Sequence, residues 1–235
     1  GVMSATADPL KTGFFIKLLL WFYIFFVIFN HTNNRGYTHF TGYEIGSFPY
    51  WFCMQFALIA GVNVPLFYMI SGIMLIDKEE RIRVVWGKRI SRYLIVLVVF
   101  SFLNYFRQVG YSLENISLKT FFTTVFSSSV IIPYWFLYSY LSFLVGLPFI
   151  RKMVRNLETK DYFYLIAVFV VFNGLVSILQ YRISDGTVFM NGTFNLYYIT
   201  CSVVFYPAIG YFFGKKIKDI TPKMLSKLIE SINNE

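Results

Sequence analysis

The sequence predicts an all-α integral membrane protein with about six transmembrane helices, and three observations carry that expectation. Hydrophobic residues make up 57% of the 235 positions and charged ones 14%, against about 45–50% and about 25% in soluble domains. The chain holds 28 phenylalanines and 18 tyrosines, an excess that suits lipid-facing helices and interfacial belts. Lysines and arginines cluster in alternate segments between the apolar runs, as the positive-inside rule requires. That clustering assigns the net charge of +9 to membrane topology and excludes nucleic acid as a partner.

The first predicted helix, residues 13–31, contains Phe14-Phe-Ile-Lys-Leu-Leu-Leu-Trp-Phe-Tyr-Ile-Phe-Phe-Val-Ile-Phe-Asn-His31. As a helix that stretch is about 27 Å long, close to the hydrocarbon thickness of a bilayer. Residues 32–50 form a loop rich in Gly, Thr, Tyr and Asn. The second apolar run, from about Tyr50 to Ile76, is interrupted by Gly61-Val62-Asn63-Val64-Pro65, so a break or kink near Pro65 is expected. Residues 77–92 read as a charged loop, and a third span follows at about 91–107. Residues 108–132 read as a Ser/Thr-rich loop, partly apolar around Phe121 to Phe126. The fourth span is about 133–150, then a short basic loop at 151–160 and a fifth span at about 161–180. A polar loop at 181–195 precedes the sixth span, 196–214, and a basic tail at 215–235.

The lysine and arginine pattern places both termini in the cytoplasm and the 32–50, 108–132 and 181–195 loops outside. His31 then ends its helix at the outer face. The reading is a single membrane-embedded domain over 1–235 in a cell membrane, with the lipid bilayer as its surroundings.

Few residues offer chemistry. There is no Gly-rich phosphate loop, no Ser/His/Asp series and no His/Cys cluster. Cys53 and Cys201 lie within apolar segments and imply neither a disulfide framework nor a metal. The two histidines are His31 and His39. His31 is either an interfacial anchor at a helix end or an acid–base group, since imidazole titrates near neutral pH. Lys88, Arg89 and Arg92 share a helix face by their spacing. They either meet anionic lipid heads or clamp a phosphorylated ligand.

Three stretches, with a fourth at the end of the last span, resemble membrane-bound acyltransferase family 3, the O-acetyltransferases of cell-surface polysaccharides and related glycans. Asn63-Val-Pro-Leu-Phe-Tyr-Met-Ile-Ser-Gly-Ile-Met-Leu75 is similar to the family's VPLFFxISGYLL signature. Lys88-Arg-Ile-Ser-Arg-Tyr93 is similar to the KRxxR segment that opens its third helix, and Tyr134-Trp-Phe-Leu-Tyr138 with Leu147-Pro148 to its WFLY…LP helix. Gly210-Tyr-Phe-Phe-Gly214 fits the end of the sixth helix.

The resemblance implies acetyl-CoA as acyl donor from the cytoplasm and a hydroxyl of a glycan or lipid-linked sugar as acceptor outside. It implies that His31 is catalytic and that Lys88, Arg89 and Arg92 lie near the CoA phosphates. It also implies a bacterial cytoplasmic membrane and a module of about ten helices. This chain then reads as the N-terminal part of that module, with further C-terminal helices or an oligomer completing the cavity. The family's arginine eleven residues before its histidine is replaced here by Leu20, and the nearest basic residue is Lys17. Ser71, Asn63 and Tyr68 are candidate oxyanion donors. The rival readings are a transporter or flippase-like protein, which the lack of carboxylates inside the predicted spans disfavours, and an inactive, truncated relative.

Overall fold

A computed structural model describes residues 18, 21–29, 31, 38–183 and 196–216, and these are helical with short connections and no strand among them. The leader, Lys17, Leu20, residues 32–37, most of the predicted 181–195 loop and the tail beyond residue 216 lie outside the described residues. The chain divides into two compact units. One runs to Ile73 and resumes at Ile209; the other spans Met74–Ala208. Four helices are long and apolar enough to cross a membrane: Phe48–Leu75, Ile82–Gln108, Ile132–Asn156 and Thr159–Leu179. They correspond to the second to fifth predicted spans. The first predicted span is helical wherever it is described, and the sixth appears as Tyr197–Thr200, Ser202–Tyr211 and Phe212–Lys216.

In the first unit, residues 21–29 form helix α1. It runs antiparallel to α2 (Phe48–Gly61) and α3 (Asn63–Leu75): the Tyr23 ring lies 5.0 Å from Phe67, and the Phe29 ring 6.1 Å from Phe56. The Ser47 side chain caps α2 by accepting from the Tyr50 amide, with Pro49 in the first turn, where a missing N–H costs nothing. The interruption in the second run falls at Val62, three residues ahead of Pro65. Pro65 has no N–H to give the Gly61 carbonyl, and the ladder resumes with Leu66 donating to Val62 O at 2.9 Å. Both sides of the break stay helical. Gly210 lets the last helix close on α3: a Cβ there would collide with the Met69 backbone, and one on Gly214 would meet Ile73 Cγ1 at 2.6 Å. Small residues four apart are the usual means of close helix contact in lipid.

The second unit departs from the expected loops in three places. The span predicted at about 91–107 begins instead at Ile82 as helix α4 (Ile82–Gln108), because the charges at its start stay helical rather than forming a loop. Its stretch Val85–Ile90 is a π-helical turn, closed by Ser91 N–H donating to Trp86 O. The 108–132 loop contains helix α5 (Leu118–Ser127), capped by Ser117. Phe121 and Val125, four apart, bury against Tyr105. At ten residues α5 is about 15 Å long, too short to cross a bilayer. The 151–160 loop shrinks to Leu157-Glu158, since α6 (Trp135–Asn156) continues through the basic residues. The next helix, α7 (Thr159–Leu179), starts at once on a Glu158/Asp161 capping box.

Helix α6 buries Tyr140, Phe143, Leu144, Leu147, Ile150, Arg151 and Val154 along one face, the spacing of an amphipathic stripe. Arg151 is the one charge in that stripe.

Candidate functional site

The connection from α3 to α4 is built around Glu80. Its carboxylate accepts from Arg89 through a two-point fork, Nε to Oε2 at 3.0 Å and Nη2 to Oε1 at 2.6 Å. It also accepts from Arg151 Nη2 at 2.8 Å. Arg151, only 5% exposed, donates Nε to the Leu75 carbonyl at 2.9 Å. Arg155 donates Nε to the Ile76 carbonyl at 2.8 Å. The two arginines thus satisfy carbonyls that the end of α3 leaves without helical partners. Hydrogen bonding from Arg89 first, then from Arg151, holds the Glu80 carboxyl down to about 2 from its ordinary 4.5, against the opposing effect of burial.

Lys88, Arg89 and Arg92 are brought together as expected, but on helix α4 rather than in a loop. They line a cavity of about 260 Å³ with Glu80, Tyr93, Tyr140 and Leu144. The Tyr93 and Tyr140 rings form part of its wall, edge to face at 4.7 Å. Arg89 faces this cavity with its fork already occupied by Glu80. The Lys88 and Arg92 side chains are exposed and make no ion pair among the described residues. Two unneutralised cations beside the fixed charge of Arg89 favour an anion in this cavity.

His31 is helical and exposed, two residues beyond Phe29. The Phe29 ring lies 6.1 Å from Phe56 of α2. His39 is engaged within its own turn: the His39 Nε2 and Tyr43 hydroxyl are 3.2 Å apart, and both line a cavity of about 310 Å³ with Thr38, Thr41 and Gly42. Of the oxyanion candidates, Asn63 (6% exposed), Ser71 (6%) and Tyr68 (0%) are all buried. The Asn63 Nδ2 has no hydrogen-bond partner among the described residues. A buried amide donor left unmade is costly. Cys53 and Cys201 are free thiols. Among the described residues no cluster of His, Cys, Asp and Glu could hold a metal.

A family model described as an acyltransferase domain, that of acyltransferase family 3, matches residues 14–232. The chain belongs to acyltransferase family 3. No curated protein and no solved structure matches it. The matched stretch covers His31, Lys88, Arg89 and Arg92 and all four membrane-length helices of this acyltransferase.

The residues that sequence reasoning missed are Glu80, Arg151 and Arg155. Glu80 stands in the charged 77–92 segment, where its sequence neighbours do not single it out. A signal for Arg151 was present: it stands four residues after Leu147 and seven after Leu144, inside the apolar stripe of α6. A cation in such a stripe needs a partner.

Proposed function

We propose that this acyltransferase moves an acetyl group from cytoplasmic acetyl-CoA to a hydroxyl of a cell-surface glycan or lipid-linked sugar. The observation that carries the reading is the family match over residues 14–232. The exposed, helical His31 and the cationic cavity at Lys88 and Arg92 support it. The six-span topology belongs to the same proposal, with both termini in the cytoplasm, in a bacterial cytoplasmic membrane.

Acetyl-CoA supplies an activated thioester. Lys88 and Arg92 hold its phosphates, and Arg89, positioned by Glu80, adds a fixed positive field. His31 acts as general base, taking the proton of the acceptor hydroxyl as its oxygen attacks the thioester carbonyl. The carbon–sulfur bond breaks, the ester forms, and the thiolate leaves to be protonated in turn. General-base assistance of this kind contributes about 10²–10⁴ in rate, and a donor such as the Asn63 amide would stabilise the developing oxyanion.

Replacing His31 with alanine should abolish acetylation of the glycan in cells while the protein still inserts, read by glycan ester content and membrane fractionation. Full activity in that variant would remove His31 from the mechanism. The Lys88→Gln/Arg92→Gln variant should lose at least tenfold of the acetyl-CoA concentration dependence of thermal stabilisation in detergent. No stabilisation of the unaltered protein by acetyl-CoA would favour the transporter or inactive-relative readings.

A further inference from the structure

A second, larger cavity lies on the other side of Glu80. It measures about 470 Å³ and is lined by Lys78, Arg81, Arg151, Lys152 and Arg155, by Glu79 and Glu80, and by Ile82, Pro148 and Phe149. It shares only Glu80 with the cavity at Lys88 and Arg92. Five cations face two carboxylates. Glu80 is committed to Arg89 and Arg151. Glu79 is 91% exposed and stands 3.9 Å from Arg155, a separation and exposure at which a pair contributes little. Lys78, Arg81 and Lys152 make no ion pair among the described residues. An unneutralised concentration of like charge in one concavity favours an anion.

The apolar residues at the rim narrow the choice. Phe149 is 76% exposed and Ile82 60% exposed. The cavity sits where α4 begins and α6 ends, both being helices of membrane-crossing length. Cations at a helix end beside exposed apolar groups match an amphiphile with an anionic head, and basic pockets between spans take phospholipid heads in this way.

We propose that this cavity is a phosphate-binding site separate from the acyl-donor cavity, recognising the phosphodiester head of an anionic lipid or a soluble phosphate. The inference stands apart from the assignment of His31 and the acyl donor, so either can fail without the other.

The test uses the full chain in an uncharged detergent and three probes followed by isothermal titration. These are dihexanoyl-phosphatidylglycerol, its neutral phosphatidylcholine counterpart and inorganic phosphate. Phosphatidylglycerol should bind saturably and at least tenfold more tightly than phosphatidylcholine. The Lys78→Gln/Lys152→Gln variant should weaken that binding about tenfold, while Lys78→Arg/Lys152→Arg retains it, which separates lost charge from lost folding. Lys160→Gln, an exposed lysine paired with Glu158 outside the cavity, should leave it unchanged. Binding of phosphatidylglycerol without phosphate assigns the bilayer as the source; binding of phosphate alone assigns a soluble ligand. Saturable binding of neither anion, equal binding of the neutral lipid, or equal weakening by Lys160→Gln would overturn the site.

Discussion

At the scale of single residues, Glu80 decides how the basic cluster behaves. Its carboxylate turns Arg89 from a free phosphate clamp into a fixed charge and gives buried Arg151 its counter-ion. Its pKa lies below the ordinary value, so the sign of the linkage follows directly. Glu80 contributes stability that is fully present above its unfolded value near 4.5 and is lost as pH falls toward about 2. The thermal midpoint of the unaltered protein in detergent should therefore exceed that of Glu80→Gln by a constant margin from pH 5 to 8. That margin should shrink as pH falls below about 4.5. A margin independent of pH down to 3 would mean that the carboxylate charge is not what holds the two arginines. The cluster Lys88, Arg89 and Arg92 was legible from spacing, because residues at i, i+1 and i+4 lie within about 100° of one another on a helix. The Glu80 partnership was not, since it joins residues 9 and 71 positions apart, and a carboxylate in a basic stretch reads as a charge balance whichever arginine it meets.

At the scale of elements, the departures from expectation share one cause. Hydropathy marks where a chain enters lipid, but a helix continues past that point while its backbone ladder and caps allow. Helix α4 therefore begins at Ile82, and α6 runs to Asn156, with only Leu157 and Glu158 before the next cap. Helix α5 was hidden because a ten-residue amphipathic helix has too little apolar length to register as a span. Its Ser117 cap and its Phe121/Val125 pair were the readable signals. Tyr105 and Tyr138 hold it in place: the Tyr105 hydroxyl accepts from Ser117 N–H at 3.2 Å, and the Tyr138 hydroxyl donates to Val125 O at 2.8 Å. Phe121 is 2% exposed and Phe126 85%. Phe121→Ala should cost about 3–5 kcal/mol and Phe126→Ala under about 0.5 kcal/mol, measured by denaturant or thermal unfolding in micelles. Equal effects at the two positions would mean that α5 does not pack as described.

At the scale of the whole molecule, the proposed orientation makes a direct prediction. With the termini in the cytoplasm, Glu114 falls outside and Glu158 inside. A cysteine placed at position 114 should react with a membrane-impermeant maleimide on intact cells, and one at 158 only after permeabilisation. The reverse pattern would invert the topology, and with it the side from which the acyl donor arrives. The sequence by itself determined the membrane class, the four long spans, the family signatures and the grouping of Lys88, Arg89 and Arg92. These rest on local composition and on helical periodicity, which any short window of residues carries. Only the tertiary structure decided that Arg89 is held by Glu80, that Arg151 and Arg155 bind the end of α3, and that two cationic cavities flank one carboxylate. Those features depend on side chains brought together across 9 to 79 positions, where a buried charge such as Arg151 needs a partner.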